Sequence, residues 1–474
     1  MMSSGVRGGG TLERTGAPLL GVAFILVLGT FMASLDATIV AVGIDTLVEE
    51  FDASVADIQW VTTAYLLAIV TVMPMSGWLA DRFGGRRTWL TAVAVFLLGS
   101  VACAVAWSVP SLVVFRVLQG LGGGLLPPTG QALLARVAGP ERIGRIISVV
   151  SVVPLLSPVL GPLIGGSILS VAEWPWLFLV NIPIGLVAMV LAWRYVPVVA
   201  PTDRSAPFDV RGAMLLPPGL AVLVFGLTEL ADTGQGGTFD VAIVALAVGV
   251  GMLVAFGVHG MRSRRPALLD VRLFTRPPFG AAATALLAVA ASVFGTMFLL
   301  PLFLQAGRGL SAWEAGLLLA PQGVGAAVGA LVVSRIIGQF APRTLVLTGM
   351  ALIAIGTVPF TQLPDLGDGV IAVALLVRGM GSALIGAPTM NIVYSRIEAT
   401  QTARASSALN LMHYVGGSLG TAVLAVVLQT RLSAEGVDVT SAFAGCFWWV
   451  LGLCVVAALW AVRLPRRVER ARSS

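Results

Sequence analysis

Charged side chains are scarce in this sequence. Only 11% of its 474 residues are Asp, Glu, Lys or Arg, whereas 57% are hydrophobic. A soluble domain carries about 25% charged residues, because its surface has to be hydrated. The composition therefore excludes a water-soluble enzyme of this size and predicts a protein whose surface faces lipid.

Lysine is absent, and all 29 basic residues are arginine. Histidine occurs twice and cysteine three times, and the three cysteines all lie inside apolar runs. These numbers give no disulfide framework and no spacing of a metal site. The apolar runs contain no Ser/His pair or His-rich motif, so we expect no enzyme and no cofactor. Basic residues do not alternate with aromatic ones, so we expect no nucleic-acid partner.

Apolar runs long enough to cross a bilayer, which takes about 20 residues, fill most of the chain. Fourteen spans are predicted, at 18–44, 59–80, 88–107, 110–135, 146–170, 176–198, 211–231, 239–260, 279–304, 313–335, 344–362, 369–393, 405–429 and 440–462. The first run exceeds the length of a signal-peptide core, so we expect it to remain as an anchor. The loops are too short for a soluble domain.

The charged residues support this partition independently. With the N-terminus inside, the inner segments hold 25 arginines and 8 acidic residues. The outer segments hold Arg308 and Arg431 against 14 acidic residues. Basic residues accumulate on the cytoplasmic side of membrane proteins, so we expect both termini in the cytoplasm.

Three charged residues fall inside the predicted spans, namely Asp36, Arg116 and Arg378. Such residues cost about 2.5–3.5 kcal/mol each on insertion scales and are usually functional. At 1.5 Å per residue, Asp36 lies about 12 Å and Arg116 about 9 Å below the outer surface. We therefore hypothesise that Asp36 carries a proton and that Arg116 is its partner; a static structural pair is the alternative.

The two ends of the chain share a pattern. GWLADRFGGRR (77–87) and LVVFRVLQGLGGGLLPP (112–128) are followed late in the chain by GALVVSRIIGQFAPR (329–343) and LLVRGMGSALIGAP (375–388). Transporters built from two parallel repeats show this arrangement. It divides the chain into a six-helix bundle at 1–198, a linker with two additional spans at 199–277, and a second six-helix bundle with a basic tail at 278–474. In this repeat Arg378 is expected to correspond to Arg116.

With these motifs the chain resembles the major facilitator superfamily, specifically its fourteen-span drug:proton antiporter branch. GWLADRFGGRR matches the family's signature loop after the second span, and LVVFRVLQG looks like its fourth-span motif. PVLGPLIGG (158–166) resembles its fifth-span antiporter motif. LDATIV, QWVTTAYLL and WLFLVNIPIG are similar to segments of the first, second and sixth spans.

The resemblance implies roles for these residues. A gating loop that holds the two bundles together on the inner side would consist of Gly77, Asp81, Arg82, Gly84 and Arg86, and Arg136 is a candidate partner of Asp81. The antiporter motif would consist of Pro158, Gly161, Pro162, Gly165 and Gly166, which allow bending and close helix packing. The implied fold is all-α, with two six-helix bundles and two extra central helices.

Polar residues within the spans are candidates for a substrate cavity: Tyr65, Gln119, Asn181, Gln322, Arg378, Asn410 and His413. Each could equally hydrogen-bond between helices. Arg378 could bind backbone carbonyls or an anionic or carbonyl group, and His413 is a secondary candidate for proton handling. His259, which ends a span beside arginines, is expected to be merely interfacial.

These observations predict a proton-coupled antiporter of a bacterial cytoplasmic membrane that exports lipophilic small molecules, powered by the proton gradient and functioning as a monomer in the lipid bilayer. A single intramembrane acid favours substrates that are neutral, zwitterionic or singly charged. A dedicated exporter of an endogenous lipid or secreted metabolite is the alternative within transport. A channel, a membrane sensor and a membrane-embedded enzyme are disfavoured by the gate and antiporter motifs and by the missing signalling and catalytic elements.

Overall fold

The chain is almost entirely helical in a computed structural model, which contains no strand in the part of the chain it describes. The described residues are 19–53, 55–139, 142, 146, 157–201, 204–205, 207–232, 239–263, 269–310, 312–337, 339–397, 401–432 and 438–464. The terminal segments 1–18 and 465–474 and most of 140–156 lie outside this description.

Fourteen helices of the described chain form the bundle, and we number them α1–α14. They are α1 Leu19–Ile39, α2 Trp60–Phe83, α3 Gly85–Ala104, α4 Val109–Ala138, α5 Ser157–Leu169, α6 Trp176–Tyr195, α7 Val210–Asp232, α8 Phe239–Arg262, α9 Phe279–Gln305, α10 Glu314–Ile336, α11 Pro342–Gln362, α12 Asp368–Arg396, α13 Thr402–Leu432 and α14 Val439–Ala461. Thirteen of them contain a stretch long and apolar enough to cross a membrane. The exception is α5, because residues 147–156 of the predicted fifth span are not described.

Helices are the expected solution here, since a chain in lipid has to satisfy its backbone hydrogen bonds internally. Some helices change geometry near proline: α2 tightens to a 3₁₀ turn at Met73–Met75, and α4 tightens at Gly124 before Pro127 and Pro128. Several helices are also longer than the predicted spans, and α13 extends from Thr402 to Leu432. Hydrophobicity marks the part of a helix that lies in lipid and misses its polar ends.

Glycine allows these helices to pack at short distances. A Cβ atom at Gly120 of α4 would lie 2.6 Å from the carbonyl oxygen of Tyr65 in α2, and one at Gly249 of α8 would lie 2.7 Å from the backbone nitrogen of Leu223 in α7. A side chain at either glycine would separate the helices, and small residues perform the same role in membrane proteins generally.

The extra helices α7 and α8 form a hairpin that contacts both bundles. Trp60 of α2 stacks on Phe225 of α7 at a centroid distance of 5.9 Å, and Leu223 of α7 packs in a cluster with Ala422 of α13. At the base of the hairpin, the His259 imidazole lies 2.9 Å from the Asp209 carboxylate. This contact joins the end of α8 to the residue that precedes α7, and the interfacial position expected for His259 stays a prediction.

Candidate functional site

Asp36 and Arg116 form an ion pair deep in the N-terminal bundle. Asp36 lies near the end of α1 and Arg116 in the second turn of α4, and both side chains are fully buried. The equal depths expected from helix rise are thus matched by direct contact of the two side chains. A buried pair of this kind persists only when its remaining hydrogen-bonding groups are also satisfied.

Neutral side chains from three helices complete the site around the carboxylate. Gln119 of α4 and Asn181 of α6 each donate to Asp36 Oδ1 at 2.8 Å. Gln119 also donates to Ser100 Oγ of α3 at 2.7 Å. We call Asp36, Arg116, Gln119, Asn181 and Ser100 the Asp36 cluster. All five side chains are fully buried.

The Arg116 guanidinium is held by α2 as well. Its Nε donates to the Val61 carbonyl at 3.1 Å, and its carbon lies 4.0 Å from the centre of the Tyr65 ring. The Tyr65 hydroxyl in turn donates to the Ala33 carbonyl of α1 at 2.8 Å. An aromatic face attracts a desolvated cation, so these contacts help to hold the Arg116 guanidinium in place.

Two polar atoms in the Asp36 cluster have no hydrogen-bond partner within the described ranges. They are Asn181 Oδ1 and one terminal nitrogen of Arg116. Buried polar atoms without partners are rare, and they often mark a functional site. Here Asn181 Oδ1 is a free acceptor and the Arg116 nitrogen a free donor beside the carboxylate. A carboxyl group that gains or loses a proton has to exchange hydrogen bonds with such groups.

Asp81 forms a second acidic site, at the end of α2. Its carboxylate accepts from Arg136 of α4 at 3.1 Å and from Arg404 of α13 at 3.2 Å. Arg136 was the partner expected from sequence, and Arg404 was not anticipated. Arg404 belongs to the C-terminal bundle, so the carboxylate connects the two bundles.

The neighbouring residues of the gating loop shape this connection. A Cβ at Gly77 would lie 3.1 Å from the Arg404 Cα, so the glycine lets α13 approach α2. Gly84 adopts a φ of 89°, which is strained for a residue with a side chain. Arg82 lies over the Trp78 ring at 5.5 Å, and Arg86 donates to the Trp193 carbonyl.

Further hydrogen bonds join the bundles at the same end of the molecule. Ser406 and Ser407 of α13 donate to backbone carbonyls of the N-terminal bundle, at Pro128 (2.9 Å) and Met73 (2.8 Å). Asn410 donates to Gln131 Oε1 at 2.7 Å. With the Asp81 ion pairs, these bonds close the space between the bundles at the Asp81 end.

The predicted antiporter motif lies in α5, which packs on α1. A Cβ at Gly161 would lie 2.7 Å from the Thr38 Cβ, and the Thr38 hydroxyl donates to the Ser157 carbonyl at 3.1 Å. Gly165 faces Ile39, whereas Gly166 has open space beside it. The side chains of Pro158 and Pro162 lie outside the described part of the chain.

The cavity candidates occupy three different environments. Tyr65, Gln119 and Asn181 belong to the Asp36 cluster or contact it, and Asn410 lies at the interface that the Asp81 end closes. His413 is half-buried, with its ring 5.4 Å from that of Phe294. Gln322 is half-buried on α10. Their contact with a substrate stays a prediction.

Glycine contacts fix how the two bundles correspond. A Cβ at Gly122 of α4 would lie 2.7 Å from the carbonyl oxygen of Ala92 in α3. A Cβ at Gly381 of α12 would lie 2.6 Å from the carbonyl oxygen of Gly349 in α11. The helix pairs α3–α4 and α11–α12 therefore pack in the same way, with Gly122 and Gly381 at equivalent positions.

In this register Arg378 and Gln119 occupy equivalent positions of the two bundles, because each lies three residues before the equivalent glycine. The expectation that Arg378 corresponds to Arg116 is thus corrected, and Leu375 takes that position. The hydrogen bonds agree, because Gln119 binds Ser100 of α3 while Arg378 binds Thr357 of α11 and Thr296 of α9. The glycine clusters of the two sequences differ in spacing, which concealed the register.

Ser100 and Arg404 lie in the site but are not among the residues predicted from the sequence. Ser100 is an isolated hydroxyl in the apolar run VFLLGSVAC, and that isolation was an available signal. Arg404 was counted only among the inner-side arginines. No group of three His, Cys, Asp or Glu side chains that could hold a metal occurs among the residues described.

The described chain is a polytopic arrangement of α-helices long and apolar enough to cross a membrane, with an ion pair buried in one bundle and a charged connection between the two bundles. Residues 26–421 match the sequence profile of the Major Facilitator Superfamily. The chain belongs to this superfamily.

Curated relatives cover most of the chain. It is 37% identical over 440 residues to the multidrug resistance protein B homolog of Mycobacterium tuberculosis, covering 90% of this chain and 80% of that protein. It is 34% identical over 433 residues to the tetracenomycin C resistance and export protein of Streptomyces glaucescens, covering 91% and 78%. These relatives indicate an efflux transporter.

Solved structures share the fold. The human organic anion transporter MFSD10 (TETRAN) aligns with a TM-score of 0.65 at 15% identity, covering 94% of this chain and all of that one (100%). The proton:xylose symporter XylE aligns with a TM-score of 0.66 at 14% identity, covering 94% and 95%. At these identities the similarity supports the major facilitator fold alone.

Proposed function

We propose that the protein is a proton-coupled antiporter that exports lipophilic small molecules across a bacterial cytoplasmic membrane by alternating access. Both termini would then lie in the cytoplasm, and the proton gradient would drive a monomeric transporter that needs no cofactor. The proposal is carried by one observation, the fully buried Asp36 carboxylate and its set of donors from other helices.

The Asp36 cluster offers a route for binding and releasing a proton. In the described state the carboxylate accepts from Arg116, Gln119 and Asn181, all of which favour its charged form. A protonated Asp36 would need an acceptor. Rotation of the Asn181 amide would offer its unpartnered Oδ1, so the same side chain would serve both protonation states.

Protonation would also release Arg116 from its counter-charge. The guanidinium would remain held by the Val61 carbonyl and the Tyr65 ring, but α1 and α4 would lose the ion pair that joins them. Because α4 also carries Arg136 to the Asp81 connection, a change in the α1–α4 contact has a physical path to the gate. That path would couple proton binding to opening at the Asp81 end.

Export of lipophilic compounds is supported by the relatives, which are named for multidrug resistance and for tetracenomycin C resistance and export. The second of these names also favours a specific alternative, namely that this chain exports one metabolite made by its own cell. A broad compound panel separates the two: stimulation of proton release by many unrelated compounds favours multidrug export, and stimulation by one favours the alternative.

The test uses purified protein reconstituted in liposomes with an internal pH reporter and a panel of lipophilic compounds. Asp36→Asn should abolish compound-driven proton movement, because the amide cannot exchange a proton. Asp368→Asn is the matched control, since Asp368 is 68% exposed and pairs with Arg308 at the surface. Proton movement that is unchanged in Asp36→Asn would refute the assignment of the carrier.

A further inference from the structure

Arg378 is a buried cation that forms no ion pair with any acid in the described part of the chain. Its side chain is 2% exposed, and the hydrogen bonds described for it go to the hydroxyls of Thr357 and Thr296. Its Nε has no hydrogen-bond partner among the described residues. Two neutral acceptors do not offset the cost of placing a guanidinium in a membrane interior, since buried charges normally require a counter-charge.

The sequence places no acid in the interior of the predicted spans of the C-terminal bundle that could supply this counter-charge. By sequence, 22 of the 23 acidic residues lie in loops or at span ends, and the remaining one is Asp36. Asp36 lies in the other bundle, where it pairs with Arg116. Arginine cannot relieve its burial by losing a proton, because it stays charged at any accessible pH. The positive charge at Arg378 is therefore permanent.

Comparison of the bundles sharpens this imbalance. In the N-terminal bundle, the position of Arg378 is occupied by neutral Gln119, which donates to Ser100 and to the Asp36 carboxylate. In the C-terminal bundle, the hydroxyl of Thr296 on α9 takes the place of that carboxylate. Among the described residues, Arg116 is thus paired with a carboxylate, whereas Arg378 binds only hydroxyls.

We propose that Arg378 anchors an anion-binding site within the C-terminal bundle, between α9, α11 and α12, which takes one singly charged anionic group. The group comes either from a small inorganic monoanion such as chloride or from the acidic group of an organic compound. Its place is the unpartnered Nε edge of the guanidinium, and planar donors of this kind bind carboxylates and other anions well. The site is distinct from the Asp36 cluster and does not depend on the proposed proton coupling.

The experiment measures thermal unfolding of the purified full-length protein, without substrate or proton gradient. Sodium chloride is titrated against sodium gluconate at constant ionic strength, since gluconate is too large for a buried site. In a second arm benzoate is compared with benzamide, its neutral analogue. A bound anion stabilises the folded protein by mass action, so at ten times Kd the folded-to-unfolded ratio should rise about 11-fold.

Matched variants assign the effect to Arg378. Arg378→Gln introduces the residue type that the N-terminal bundle has at the equivalent position, and it should abolish the stabilisation by anions. Arg378→Lys keeps the charge and should retain a weaker response. Arg335→Gln removes an exposed arginine and should respond like the unaltered protein.

Each outcome decides between the sources or against the proposal. Stabilisation by chloride that Arg378→Gln removes identifies an inorganic anion, and stabilisation by benzoate alone identifies an organic acid. Absence of both in the unaltered protein overturns the proposal, even if Arg378→Gln fails to fold. A response that survives in a folded Arg378→Gln protein overturns it as well. The result of the Asp36→Asn proton-release assay does not affect the interpretation of any of these anion-binding measurements.

Discussion

The two arginines that bind Asp81 should contribute unequally to gating. Arg136 and Asp81 belong to the same bundle, so their contact can persist when the bundles separate. Arg404 belongs to the other bundle, and its contact has to break whenever the Asp81 end opens. We therefore expect Arg404→Gln to favour the open state much more strongly than Arg136→Gln.

The burial of the pair sets the size of this effect. Removing one partner of a fully buried pair costs about 3–5 kcal/mol, and an exposed pair contributes about 0–1 kcal/mol. Arg404 is 19% and Asp81 3% exposed, so an intermediate loss of about 2 kcal/mol applies. Since about 1.4 kcal/mol is a factor of ten, the ratio of closed to open molecules should fall roughly 30-fold. For Arg136→Gln we expect a change under about threefold.

Distances between spin labels on the two bundles measure this ratio. The native cysteines are buried, so labels can be attached at Arg87→Cys and Gln339→Cys, both exposed at the Asp81 end. Arg404→Gln should enrich the long distances at this end, and Arg136→Gln should leave most of the distribution unchanged. Equal shifts in the two variants, or no shift in Arg404→Gln, would refute the reasoning.

Two further predictions concern the N-terminal bundle. Gly161→Ala should impair transport and destabilise the packing of α5 on α1, because the added Cβ overlaps Thr38. Gly166→Ala has open space beside it and should be tolerated. Transport rates and thermal unfolding of the two variants check this, and equal effects in both would contradict it. Asn181→Ala should lower compound-driven proton release in the liposome assay, because the buried carboxylate loses a hydrogen bond of about 1.5 kcal/mol and the amide oxygen that would accept from its protonated form. Proton release equal to that of the unaltered protein would contradict this role of Asn181.

Depth along a helix was predictable from sequence, whereas register between helices was not. The rise of an α-helix placed Asp36 and Arg116 at similar depths, and the two side chains do meet. Assigning Arg378 required knowing which glycines contact which backbone, and that depends on packing between helices. The contact of Arg404 with Asp81 was not predictable for a related reason. An arginine at the inner end of a span fits the excess of basic residues on the cytoplasmic side whether or not it also binds a carboxylate.

The hairpin of α7 and α8 makes the two sides of the transporter unequal. Two bundles that face each other share two seams along the membrane, one beside α2 and α13 and one beside α5 and α10. Contacts of α7 with Trp60 and Ala422 cover the first seam with protein. The second seam has no such cover among the described helices. Any rocking motion of the two bundles therefore has to slide against the hairpin along the first seam.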